Sequence, residues 1–346
     1  MMKPALALVA FATSLPASAA APGTCPAIDD DAARLRCYDA AAGRTPAAKP
    51  AAKPAAPVAA PTPAPLIANA TPSASDLGSR WELDAGTKAP LFTFRPHKQN
   101  YLLPITHTDS VNKAPYQATL DALVGAGLVA PDSAPIDPTE AAFQLSFKAK
   151  VWEGLVSDRA DLWVGYTQRS FWQVYNGDVS APFRDTNYEP EAILTLRTDM
   201  DVLGLRWRTL NLGLVHQSNG RSEPLSRSWN RIYAEFGFER GPFTLAIRPW
   251  YRLKEDATDD DNPDITKYLG HGDLVATYKA GRHQFGLLAR QNFSSGYGAA
   301  QLDWSFPLFG ALRGYAQVFT GYGYNLLDYN HRQKVGGIGV LLTDRF

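Results

Sequence analysis

From about residue 88 to its end, the chain alternates apolar and polar side chains with a period of two, in segments of about ten residues. Phe143, Leu145, Phe147, Ala149 and Val151 interleave with Gln144, Ser146, Lys148 and Lys150. Phe243, Leu245, Ile247, Tyr251 and Leu253 interleave with Thr244, Arg248, Arg252 and Lys254, and Ala300, Leu302, Trp304, Phe306 and Leu308 with Gln301, Asp303 and Ser305. Because successive side chains of a strand point to opposite faces, each segment is a strand with one greasy face. Twelve such strands are expected, near 92–104, 142–154, 160–173, 190–198, 205–218, 229–239, 243–254, 267–279, 283–293, 298–308, 312–322 and 334–346. Their links alternate between long, as in 176–188 and 254–266, and short, as in 240–242 and 280–282. A soluble sandwich also alternates, but its connections are often similar in length at both ends. An even strand count with one end of tight turns and one end of long loops points instead, within the all-β class, to a twelve-stranded antiparallel transmembrane β-barrel of the outer-membrane type; both chain ends are then expected in the periplasm. The inward parity is rich in Arg, Lys, Glu and Gln, so the lumen is either filled or a narrow pore.

The segment ahead of the barrel divides by composition. Residues 1–20 carry a Lys near the start, an apolar centre from Ala5 to Leu15 and an Ala17-Ser18-Ala19 exit, the pattern of a secretory signal peptide. Residues 21–43 hold the two cysteines, Cys25 and Cys37, which an oxidising compartment lets staple a small helical turn. Residues 44–80 form a linker; from Pro46 to Pro65, 16 of 20 residues are Pro or Ala, too poor in large apolar groups to build a core. The barrel domain is expected over 81–346, leaving a short periplasmic extension in front of it. Past the leader, no uncharged apolar run approaches the roughly 20 residues that a membrane helix needs. With 34 basic and 34 acidic residues, the chain lacks the positive excess of a nucleic-acid binder.

A few polar residues fall on the greasy face. His216 and Ser218 continue the row of Leu212 and Leu214, and Asn230 heads the row of Ile232, Ala234, Phe236 and Phe238. Polar groups facing hydrocarbon are costly unless they pair. His216 is able to take the Ser218 proton while Asn230 accepts from the other ring nitrogen, the logic of a serine hydrolase. An amide costs less than a carboxylate to hold near lipid. Ser218-Asn219-Gly220 is equally a turn signal, so the residues alone leave both interpretations open. Gln168 lies in the outward row of Leu162, Val164 and Tyr166, placed to assist association between barrels or to reach interfacial water.

The strings His216-Gln217-Ser218-Asn219-Gly220-Arg221-Ser222 and Ser226-Arg227-Ser228-Trp229-Asn230-Arg231 resemble the signature of the outer membrane phospholipase A family. Tyr166-Thr167-Gln168, Pro182 to Pro190, Arg248-Pro249-Trp250-Tyr251, Asp260 to Tyr268 and Asp328-Tyr329-Asn330 strengthen the resemblance, which spans about 90 to 346 and omits the cysteine clip and the linker. The resemblance implies a calcium-dependent enzyme that hydrolyses acyl esters of phospholipids and lysophospholipids, at sn-1 and sn-2, in the outer leaflet of the outer membrane, and that is active as a homodimer. It implies Ser218 as nucleophile, His216 as general base and then acid, Asn230 as orienter of His216, and the Gly220 N–H as oxyanion donor. It implies Ca2+ held by the Arg221 carbonyl, the Ser226 hydroxyl and the carbonyl of Ser180 of the partner subunit. Glu223 and Asp261 are implied for a calcium site of the monomer, and Gln168 for the dimer contact. Gln217 and Glu223 stand where the family often has Asp. Without that resemblance, the run Asp259 to Asp261 is an acidic solvated loop, and a narrow porin or a structural barrel explains the strands equally well.

Overall fold

The computed structural model describes residues 22–43, 75–127, 136–177, 180–310 and 312–344. The expected leader, most of the linker and the C-terminal Phe346 lie outside these described residues. The chain divides into two units, one ending at Ala68 and one beginning at Asn69. In the first, a 3-10 turn over Pro22–Ala27 leads into helix α1 (Asp31–Ala41), whose first turn is capped by the Asp30 side chain, accepting from the Ala33 amide. A Cys25–Cys37 disulfide closes this small segment, with Cα atoms 5.6 Å apart.

The second unit is built of strands β1 (Phe94–Pro96), β2 (Asn100–Thr108), β3 (Thr139–Gly154), β4 (Ala160–Trp172), β5 (Phe183–Val202), β6 (Leu205–Ser218), β7 (Ser228–Arg240), β8 (Phe243–Arg252), β9 (Gly272–Ala280), β10 (His283–Gln291), β11 (Gly298–Pro307), β12 (Arg313–Gly321) and β13 (Gln333–Thr343). Every pairing is antiparallel, each strand from β3 to β13 pairs with the next, and β13 pairs with β2 and β2 with β3. The sheet is thus a closed barrel of twelve strands, with β1 a three-residue addition alongside β3. Closure leaves no free edge, which is the condition for a sheet to exist in hydrocarbon. No helix among the described residues is long and apolar enough to cross a membrane.

The outward rows are those expected. Leu145, Phe147, Val164, Leu212, Leu214, Ile232, Ile247, Leu302, Val318 and Ile338 are exposed around the wall, an apolar band of the kind that faces lipid. Several boundaries differ from expectation: the first strand, expected near 92–104, is broken into the three-residue β1 and a β2 that starts only at Asn100. β5 begins at Phe183, well before 190, because Arg184 to Glu189 carry polar groups on both faces and show no contrast. β9 begins at Gly272, since Ile265–Leu269 is a helical turn burying its own i and i+4 residues, Ile265 and Leu269. The linker expected through residue 80 ends earlier: Asp76–Trp81 is a helix, α2, capped by Ser75, and Leu77 and Trp81 pack on Trp163 and Ile193 inside the wall.

The lumen is filled. The Leu77 amide donates to Glu239 Oε2, Asp76 pairs with Lys279, and the Lys148 ammonium sits 3.0 Å from the centre of the Trp81 ring. Deeper inside, His97 Nε2 lies 2.7 Å from Glu191, Arg248 pairs with Asp273 at 2.8 Å, and Arg184 bridges Glu140 at 2.7 Å and Asp328 at 2.8 Å. What remains is a cavity of about 220 Å³ lined by groups such as Arg80, Glu189, Arg231 and Arg290. Removing one partner of such a buried group strands the others without compensation. Arg184→Ala is therefore expected to lower stability by about 3–5 kcal/mol, measured as a fall in the denaturant midpoint of the barrel in detergent micelles. An unchanged midpoint would show that water replaces the guanidinium at no cost.

Candidate active site on the outer wall

His216 is exposed and continues the outward row of Leu212 and Leu214, 42% and 52% exposed, along β6. The β6–β7 register sets it directly opposite Asn230, and their side chains meet with His216 Nδ1 2.9 Å from Asn230 Oδ1. Ser218 lies two residues on in the same row, at the end of β6 that runs into a long loop, opposite Ser228 on one side and Tyr188 on the other. The structure thus brings all three residues to one patch of the outer wall. It closes the His216–Asn230 bond and leaves the Ser218 hydroxyl without a hydrogen bond to His216.

The loop after Ser218 is shaped by residues that a turn signal alone does not reveal. Asn219, 4% exposed, donates from its side chain to the Leu225 carbonyl and accepts from the amides of Arg227 and Arg221 at 3.0 and 3.3 Å. This single buried amide ties both arms of the loop together. Gly220 adopts φ +62°, where a Cβ would also come within 3.2 Å of the Tyr188 ring. Arg221 reaches back to β5, donating to the Phe183 and Arg184 carbonyls at 2.7 and 2.8 Å.

On the other side of the loop, the Ser226 hydroxyl donates to Asp261 Oδ2 at 2.5 Å. Glu223 hydrogen-bonds to Asp261 and faces its negative charge, which raises the Glu223 carboxyl above its usual range. Ser226, Glu223 and Asp261 therefore form an oxygen-only cluster with excess negative charge, the donor chemistry that suits a hard divalent cation. Gln217 does not join it. Its side chain turns to the inner face and accepts from Trp229 Nε1 and Arg231 Nη2 at 2.9 and 3.1 Å. Ser180 is exposed in the loop between β4 and β5, with φ +61°.

Gln168 is outward on β4, as expected, and its polar atoms are occupied along the strand. Its Oε1 accepts from the Tyr166 hydroxyl and its Nε2 donates to Ser170 Oγ, both at 3.2 Å. Gln168 is paired with Tyr188, and Tyr188 with Ser218, so the three lie across β4, β5 and β6 at one level. Tyr188 falls within the motif from Pro182 to Pro190, but its place beside Ser218 follows from strand register, which local sequence does not show. Glu255 escapes sequence reasoning altogether. It lies in the loop after β8 and accepts from Asn230 Nδ2 at 2.7 Å. In the sequence it is one acid in an acidic loop, and only the pairing of the Leu253 amide with the Asn230 carbonyl, at 2.8 Å, brings it there.

Residues 77–342 match the family model for Phospholipase A1. A relative from Neisseria meningitidis serogroup B is 43% identical over 272 residues, covering 78% of this chain and 70% of its own. The phospholipase A1 of Escherichia coli K12 is 40% identical over 255 residues, 74% of this chain and 83% of that one. Among solved structures, outer membrane phospholipase A from Escherichia coli superposes with a TM-score of 0.69 at 38% identity, covering 78% of this chain and 99% of the other. The Salmonella typhi outer membrane phospholipase, a dimer with bound calcium, gives 0.67 at 38% identity, with 76% and 96% covered. The closed twelve-stranded wall, the polar patch on its outer face and these likenesses coincide over the same stretch of sequence: the chain belongs to the phospholipase A1 family of outer membrane phospholipases.

Proposed function

We propose that the chain is a calcium-dependent phospholipase A that spans the outer membrane and hydrolyses acyl esters of phospholipids and lysophospholipids at either acyl position. The observation that carries this is the 2.9 Å bond between His216 Nδ1 and Asn230 Oδ1, on the apolar outer wall and beside Ser218. In that arrangement Nε2 of His216 is the free base. Ser218 Oγ attacks the ester carbonyl and gives its proton to Nε2; His216 returns it to the departing alcohol oxygen, and the acyl chain stays on Ser218. A water that loses its proton to the same nitrogen then attacks the acyl carbon; the Oγ–acyl bond breaks, His216 returns the proton to Ser218 Oγ, and the fatty acid leaves. The Ser218–His216 bond, open in the free protein, closes as substrate arrives, a common behaviour of catalytic hydrogen bonds. The Gly220 N–H is offered to the developing oxyanion, from a loop that Asn219 holds in shape.

The donor set beside the loop fits the implied ion: the Arg221 carbonyl, the Ser226 hydroxyl and Ser180 of the partner subunit would hold it, with Glu223 and Asp261 at the site of the single subunit. Calcium bound there would supply positive charge that stabilises the developing oxyanion. Two barrels would meet along the β4 wall around Gln168, enclosing a groove that the acyl chain fills, so that association governs activity. Because the patch lies outside the wall, lipid reaches it sideways from the outer leaflet, with the Cys25–Cys37 segment on the periplasmic side. A porin reading has no support in the lumen, which α2 and the buried ion pairs occupy.

Ser218→Ala is expected to lower phospholipid hydrolysis in detergent by at least about 10³-fold while the barrel stays folded; a variant within tenfold of wild type would remove Ser218 from the reaction. Excess chelator should abolish turnover without unfolding the wall. Calcium at about a hundred times its Kd should raise unfolding stability by about 2.7 kcal/mol, and Asp261→Asn should shrink that gain.

A further inference from the structure

We propose that Glu255 is a positioning residue of the active site, which makes Asn230 an obligate acceptor toward His216. This rests on the hydrolase assigned above and adds a fourth member behind the three. A neutral amide is ambiguous in a way that a carboxylate is not. An Asn side chain presents either its oxygen or its NH2 to a neighbour, and the two orientations differ little in shape. With the oxygen toward His216, the imidazole carries its proton on Nδ1 and keeps a lone pair on Nε2 for Ser218. With the NH2 toward His216, Nδ1 must accept, the proton moves to Nε2, and the base is lost. The serine-protease precedent shows how costly the wrong tautomer is.

Glu255 breaks that degeneracy. An ionised carboxylate only accepts, so the 2.7 Å bond from Asn230 Nδ2 to Glu255 Oε1 holds the amide with its oxygen toward His216. The anchor is itself held. The Leu253 amide donates to the Asn230 carbonyl at 2.8 Å, fixing the start of the loop to β7. Arg252 Nη2 lies 3.7 Å from Glu255 Oε2 and donates to Asp260 Oδ1 at 2.6 Å, and Arg252 Nη1 donates to the Pro263 carbonyl at 2.9 Å. The Glu255 side chain is only 17% exposed. Its loop lies at the long-loop end of the wall, so the charge that a carboxylate in place of Asn230 would bring against hydrocarbon sits one bond further out. The amide next to lipid and the carboxylate behind it divide between them the two tasks that one Asp performs in other triads: fixing the tautomer and compensating the imidazolium.

The test measures kcat and KM for phospholipid hydrolysis in detergent for wild type, Ser218→Ala, Glu255→Gln, Glu255→Ala, Asn230→Asp and the Asn230→Asp/Glu255→Gln double variant, with unfolding midpoints as the control. With Asn230 present, Glu255→Gln and Glu255→Ala should lower kcat about 10- to 100-fold, the range for outer partners that orient a functional imidazole, at nearly constant KM. On the Asn230→Asp background, where the introduced carboxylate accepts by its own chemistry, Glu255→Gln should cost nothing or raise kcat, because it relieves two facing carboxylates and donates in their place. This reversal of sign is what a merely structural role cannot produce. Wild-type kcat in Glu255→Gln and Glu255→Ala, or equal losses on both backgrounds, overturns the proposal. If Ser218→Ala is inactive in the same series, the hydrolase assignment survives that failure; if Ser218→Ala stays active, both fall together.

Discussion

The structure depends on the closure of one hydrogen-bonded ladder. In hydrocarbon an unpaired backbone amide or carbonyl costs several kcal/mol, and the pairing of β2 with β13 on one side and β3 on the other leaves no edge to bear that cost. Closure also fixes the two-face rule, since a strand in a closed wall presents alternate side chains to lipid and to the interior. The apolar band outside and the ion pairs inside are two outcomes of that constraint. So is the prominence of His216, Ser218 and Asn230, which are polar groups on the face where the rule asks for Leu, Ile or Phe.

The interior does the work that a hydrophobic core does in a soluble protein, with different chemistry. Arg184 ties β5 to Glu140 of β3 and to Asp328 in the loop before β13, His97 reaches Glu191 of β5 from the turn before β2, and Arg248 pairs with Asp273 across β8 and β9. Satisfied networks of this kind rigidify the structure that carries them. Helix α2 adds an apolar wedge, Leu77 and Trp81 against Trp163 and Ile193. A stiff wall matters here because the candidate site sits on its outer face, with a geometry set by the ladder beneath it.

Much of this was legible in the sequence, and where it was not the reason is physical. Strands with strong contrast between faces, such as Phe143 to Val151, announce themselves. The start of β5 does not, because Asp185, Asn187 and Glu189 on one face and Thr186 and Tyr188 on the other are all polar or amphipathic. Ser75 to Trp81 looks like the end of a polar linker, and only the lumen it enters explains Leu77 and Trp81. His216 and Ser218 were visible through local parity, and Asn230 through parity on the next strand. Tyr188 and Glu255 were not, since their positions follow from cross-strand register and from a loop folding back on β7. Gln217 shows the limit of motif comparison: a position that looks like part of an acidic site faces Trp229 and Arg231 within the wall.

The level shared by Gln168, Tyr188 and Ser218 across three neighbouring strands has a mechanical consequence. Adjacent strands are spaced by about 4.8 Å, so a seam between two barrels at Gln168 would run roughly 10 Å from Ser218, a separation set by backbone spacing and insensitive to side-chain rotamers. A slip of β5 by a single residue would turn Tyr188 into the lumen and break the alignment entirely. The offset between such a neighbour and Ser218 would thus be counted in units of the sheet itself, as on a ruler with engraved marks.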